Sequence, residues 1–184
     1  MTATLNTAHI RLPDWLAAMK LPETAADDVA CMELVLEIAR LNVINATGGP
    51  FSALLREDVS GRIISVGVNS VTPSGNPVLH AEVVAISLGD LRHSPAQVTL
   101  FSSCEPCIMC LGALHWSKIG RVIYSARQDD AQAIGFDEGA GCPELKAQMV
   151  DKGVTFQGGL LRDKGAEVLR FYKERGGVIY GPTS

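Results

Sequence analysis

Residues 102–110 read SSCEPCIMC and carry three evenly spaced thiols, Cys104, Cys107 and Cys110. Thiols bunched in this way hold metal ions as thiolates, and the chemistry depends on which of them converge and what completes the set. Proline favours the first position of a helix, so Pro106 predicts a helix start there. Cys107 and Cys110 then lie on one face of its first turn, where helix amides stabilise thiolates. Cys104 precedes the turn, at the end of a strand-like run, and need not point the same way. Three arrangements remain open from these residues. An iron–sulfur run would continue with a fourth cysteine and a proline, where this chain has Leu114 and His115. A closed structural zinc would take Cys104 as an extra ligand and leave no place for water. An open, catalytic zinc needs one imidazole with the two thiolates. His80, in the stretch His80-Ala81-Glu82, offers it, and Glu82 is then a base not used as a ligand.

HAE followed by PCIMC resembles the signature H-x-E…P-C-x-x-C of the zinc-dependent nucleobase deaminases, the cytidine/deoxycytidylate deaminase superfamily. The stretches GGPFSALL, GVNS, HAEVVAI, SCEPCIMCLGALHWS and RQDDAQAIGFDEG together resemble the bacterial guanine deaminases of that superfamily, including those that also accept aminotriazines such as ammeline. The resemblance runs from about residue 30 to the C-terminus. It implies His80, Cys107 and Cys110 as ligands of one Zn2+ per subunit, with Cys104 outside the set. It implies a hydrolase acting on a C–N bond of a cyclic amidine: guanine and water give xanthine and ammonia, in purine breakdown or salvage. Glu82 takes the proton of the attacking water, protonates the ring nitrogen and then assists the leaving amine. The alternatives are ammeline, guanosine, cytosine or tRNA adenosine as substrate. A zinc-stabilised binding module is the non-enzymatic alternative, but it has no use for an unliganded carboxylate at the metal.

The resemblance also assigns substrate contacts. Asn69, at the end of a strand, offers donor and acceptor to a purine edge, although Asn-Ser is equally turn chemistry. Phe51, after Gly-Gly-Pro, suits stacking under a flat ring, or core packing. Ala81 lies between the ligand and the base. Trp116 belongs near the pocket or at a subunit contact. Asp129, Asp137 and Glu138 bring three acids to one loop; Glu138 first and Asp137 second are candidates for a second proton relay or an amine-recognition group. Tyr180, in the apolar tail 178–184, is a lid residue over its own site or over that of a partner in a homodimer.

Positioning these groups requires a scaffold. Helical spacing of Val29, Met32, Leu36, Ala39 and Val43 predicts a helix after Asp27 and Asp28. FSALLRE and RIISVGVN predict a hairpin joined at residues 58–61. Helices are expected in HAEVVAISLGDL, CIMCLGALHWSK, PELKAQMVDKG and RDKGAEVLRFYKERGG, and strands in VTLFSS, RVIYSA and VTFQG. The segment RQDDAQAIGFDEGAG reads as one long loop. The alternation predicts an α/β chain: a three-layer α/β/α domain over residues 23–184, with a mixed sheet of about five strands flanked by helices, and the resemblance implies that it is cytidine-deaminase-like. Residues 1–22 form an N-terminal arm with a short helix at 14–20.

The 184 residues suit one domain, and the net charge of −4 provides no basic face for a phosphate backbone. A small nucleobase is therefore expected as partner rather than nucleic acid. Five cysteines, three of them bunched, are no disulfide framework. With no signal pattern and no run of about 18 apolar residues, a cytoplasmic location without a membrane partner is expected.

Overall fold

The computed structural model describes residues 9–92, 94–137, 139 and 141–181. The arm enters through the single-turn helix α1 (Asp14–Ala17). Its Leu16 is buried in the same apolar cluster as the next helix, and Leu12, Trp15, Met19 and Leu21 pack against that cluster. That helix, α2 (Asp28–Ile44), starts where the acids predict. Asp27 is its N-cap, accepting the Ala30 N–H at 2.8 Å. A tight turn through Gly48-Gly49-Pro50 leads into β1 (Ser52–Glu57), which pairs antiparallel with β2 (Ile63–Val68). Then follow a one-turn helix α3 (Val71–Ser74), α4 (Ala81–Leu88) and a 3-10 turn (Pro95–Gln97). β3 (Val98–Cys104), α5 (Ile108–Ser117), β4 (Arg121–Ala126) and α6 (Gln128–Ile134) come next. α7 (Pro143–Asp151), β5 (Thr155–Gly158) and α8 (Arg162–Glu174) complete the described elements.

The sheet order is β2-β1-β3-β4-β5. β1 runs antiparallel to both neighbours, and β3, β4 and β5 are mutually parallel, so the sheet is mixed as expected. Side chains alternate between faces. Leu54, Phe101 and Ile123 stand in register across three strands and pack under α2. Ala53, Leu55, Leu100 and Val122 point to the other face, where they meet Ala81 and Ala85 of α4 and Leu111 and Leu114 of α5. This is the three-layer arrangement, with every residue of central β3 buried. Gly67 allows α4 to lie directly on β2, because an added Cβ would collide with the backbone of Ala81 and Ala85. No helix among the described residues is long and apolar enough to cross a membrane.

Three local expectations are corrected. The segment 127–137 is not one loop: it contains α6, whose start is fixed by the Asp130 carboxylate accepting the Arg127 N–H at 2.8 Å. The polar stretch after Asn69 coils into α3. Pro106 lies before the helix rather than inside it. Cys107 is the N-cap of α5 and Cys110 its third residue, so the two thiols straddle the helix start.

Candidate metal centre and substrate site

Two helix starts meet at one point. His80 is the N-cap of α4 and Cys107 the N-cap of α5, both with extended backbone. His80 Nδ1 lies 3.5 Å from Cys107 Sγ and 3.7 Å from Cys110 Sγ. Tetrahedral zinc, with Zn–S of about 2.3 Å and Zn–N of about 2.1 Å, sets N···S near 3.6 Å. The trio therefore fits the ion without rearrangement, and its ligand atoms lie within 4.8 Å of one another. Among the described residues no fourth side chain joins this cluster. Cys104, at the end of β3, is buried with its Sγ 3.6 Å from the Arg127 carbonyl oxygen, outside the trio. Three ligands leave a fourth position open.

The electrostatics agree. A hydrogen bond from Cys110 holds the Cys107 thiol down to about 4, helped by His80 and opposed by burial. The same bond, with burial, pushes Cys110 well up. The pair shares one proton, which a dication would displace. Glu82, in the first turn of α4, is buried and accepts a hydrogen bond from Ser102 Oγ at 3.2 Å. Burial chiefly raises its pKa, and the Cys107 charge adds to the shift. A bound dication acts in the opposite direction. The arrangement can polarise water beside a carboxylate able to carry its proton.

Two cavities adjoin the trio. The inner one, about 20 Å³, is lined by His80, Glu82 and Cys107 with Phe51, Asn69 and Tyr180. The outer one, about 360 Å³, is lined by Pro77, Val78, Ile108 and Met109, and it shares Tyr180 with the inner. Asn69 is buried. Its Oδ1 accepts the Val71 N–H at 3.2 Å and the Gly49 N–H at 3.4 Å, so Nδ2 is the group it offers to the cavity. Phe51, Phe136 and Tyr180 form an aromatic cluster, with Phe136 5.0 Å from Phe51 and 5.1 Å from Tyr180, each edge-on. Ala81 is buried under the site as the first residue of α4. Asp137 reaches only the outer cavity, with its Oδ1 accepting the Gly139 N–H. Asp129 is exposed and lines neither cavity. Glu138 lies outside the described residues. Trp116 is 85% exposed and lines neither cavity, so the pocket placement is replaced by a surface one.

Three groups escaped the sequence reading. Ser102 supports Glu82. Glu105 lines the inner cavity while its carboxylate accepts from Tyr124 Oη at 3.0 Å and Lys146 Nζ at 3.2 Å. Asn42, in α2, is fully buried and bonded to the backbone of Gly49 and Asn69. Nothing at these positions stands out in sequence, because each acts through partners distant along the chain.

A single-ion site with an open corner and a buried carboxylate alongside places the chain among the mononuclear zinc hydrolases. Residues 25–126 match the family model of the cytidine and deoxycytidylate deaminase zinc-binding region, more than half the chain, and the chain belongs to that family. It is 39% identical over 112 residues to guanine deaminase of Bacillus subtilis (strain 168), covering 59% of this chain and 70% of that one. A solved structure of guanine deaminase from Nitrosomonas europaea superposes with a TM-score of 0.84 at 38% identity, covering 94% of this chain and 100% of that one. A related structure in complex with 8-azaguanine has the same TM-score and identity, covering 94% and 99%.

Proposed function

We propose that this protein is a zinc-dependent guanine deaminase that converts guanine and water to xanthine and ammonia. The observation that carries this reading is likeness to guanine deaminase along nearly the whole chain, not over the zinc motif alone. His80, Cys107 and Cys110 would hold the ion. Bound there, zinc supplies Lewis acidity that lowers the cost of deprotonating water near neutral pH.

The chain's own groups supply the rest. Glu82 accepts the proton from water as oxygen bonds to the amino-bearing ring carbon. It hands that proton to the adjacent ring nitrogen, takes the remaining proton of the added hydroxyl as the new carbonyl forms, and delivers it to the departing amine as the C–N bond breaks. Because the carboxylate is buried and adjoins the trio, one group can serve each transfer. Asn69 donates Nδ2–H to an acceptor on the purine edge, and Phe51 packs against the ring. On this reading Tyr180, which lines the inner cavity, shields the reaction from water.

The assembly is a homodimer on this reading. Ile108 and Trp116 of α5, with Val78 and Leu88, leave large apolar side chains exposed, surface that a subunit contact would cover. Five free cysteines suit a reducing, cytoplasmic setting. Zinc analysis with an ammonia-release screen over guanine, guanosine, adenine, cytosine and ammeline tests the function. Turnover of guanine above the others is expected; zinc binding without any ammonia release would replace the enzyme with a binding module.

A further inference from the structure

We propose that Asn42 is a positioning residue for substrate recognition, held in place by a relay from Thr47 and Trp15. Asn42 is fully buried in α2, away from the zinc trio, yet both bonds donated by its side-chain amide lead to the site. Its Nδ2 donates to the carbonyl oxygens of Gly49 at 2.8 Å and Asn69 at 3.1 Å. Its Oδ1 accepts from Thr47 Oγ1 at 2.7 Å, and Thr47 Oγ1 accepts in turn from Trp15 Nε1 at 2.8 Å. A hydroxyl has one proton, so the direction of the chain is fixed. Trp15 donates to Thr47, Thr47 to Asn42, and Asn42 to the two carbonyls. Such chains polarise one another and are strongest when complete.

Gly49 and Asn69 begin and end the segments that bear the proposed substrate contacts. Phe51 follows Gly49 by two residues, and its carbonyl accepts the Asn69 N–H at 2.9 Å. The Gly49 N–H donates back to Asn69 Oδ1. The two segments are pressed together: a Cβ on Gly48 would collide with the Asn69 carbonyl oxygen. One buried amide thus sets the separation of the segments carrying Phe51 and Asn69, and with it the direction of Asn69 Nδ2. The arm reaches the site through Trp15. The proposal rests on the deaminase reading only in taking Asn69 as a substrate contact.

Removing Asn42 risks the fold, so the test works one bond out. Thr47→Val keeps the shape and removes both bonds, while Thr47→Ser keeps the hydroxyl. Thr47→Val is expected to raise KM for guanine about fivefold, with kcat within about twofold and zinc at one per chain; Thr47→Ser is expected near wild type. In substrate-free protein labelled with 15N-asparagine, the side-chain amide resonances of Asn69, assigned by their loss in Asn69→Ser, should move in Thr47→Val and stay in Thr47→Ser. Should Thr47→Val not fold, Trp15→Phe, at the outer end of the relay, should show the same changes in smaller measure. Unchanged KM and unchanged Asn69 resonances in a folded variant, with only a lower Tm, would reduce the relay to packing and overturn the proposal. If the wild type leaves guanine untouched, the substrate reading fails and the resonances alone decide the relay.

Discussion

Ser102 Oγ lies 3.2 Å from Glu82 Oε1, with both side chains buried, so the proposed proton carrier is held by a strand from beneath. The hydroxyl orients the carboxylate, whose pKa is raised chiefly by burial. Ser102→Ala removes a hydrogen bond to a charged group, which in net terms contributes about 1.5–3 kcal/mol. We expect kcat to fall about tenfold or somewhat more, with zinc content unchanged. Steady-state kinetics beside metal analysis would show it, and a rate within twofold of wild type would leave Glu82 oriented by its helix alone.

Glu82→Gln makes a sharper cut. The amide keeps the size and can still accept from Ser102, but it cannot carry the proton of the attacking water. A loss of about 10²- to 10⁴-fold in kcat is expected, with the metal retained and the fold intact. Near wild-type turnover in this variant would exclude the mechanism.

The three cysteines separate by metal content. Cys107 and Cys110 lie 3.5 and 3.7 Å from His80 Nδ1, while Cys104 Sγ lies against the Arg127 carbonyl. Zinc should remain near one per chain in Cys104→Ser and fall to trace levels in Cys107→Ser and Cys110→Ser after dialysis against a weak chelator. Loss of zinc in Cys104→Ser would argue for a closed four-ligand site.

Much of this was legible because local rules carry it. The strand-like runs that became β1 to β4 and the helix start at Asp27 and Asp28 follow from residue type and spacing, while the choice of His80 with Cys107 and Cys110, one of three arrangements the residues allow, came from the family resemblance. What stayed hidden depends on tertiary neighbours. α6 begins with the local contact of Asp130 to the Arg127 N–H, but Asp130 is also held by Arg162, thirty-two positions along the chain, which no local pattern shows. Ser102 and Asn42 are ordinary polar residues until α4, Gly49 and Asn69 are brought beside them. Trp116 was expected near the pocket or at a subunit contact, and of these the exposed side chain leaves only the second.

Asp130 ties α6 to α8, accepting from Arg162 Nε at 2.9 Å and Nη2 at 3.0 Å. The Arg162 hydrogen bonds hold its carboxyl below the ordinary range. A carboxyl with a lowered pKa in the folded state contributes stability above its unfolded value of about 3.9, and the contribution is lost as pH falls through the folded value. Asp130→Asn should therefore lower Tm by a few degrees at neutral pH, and the gap to wild type should close in acid. Thermal unfolding of both proteins across pH checks this; a gap that widens in acid would show that the pair is not the cause.

Gly49 offers a test of the proposed lid. A Cβ added there would collide with the Tyr180 hydroxyl, the tip of a flexible side chain, and would meet Asn69 Oδ1 at 3.2 Å. The inner cavity of about 20 Å³ is far below the roughly 300 Å³ at which small-molecule pockets begin, so on the proposed function substrate would need Tyr180 to give way to enter it. Gly49→Ala should fold with a Tm close to wild type, yet release residues 178–181 from the site. Cleavage of the tail by a nonspecific protease should then become faster, and KM for guanine should rise. Deletion of residues 178–184 should go further and abolish turnover while zinc and secondary structure persist. Full activity in the truncated protein would show that the site closes without the tail.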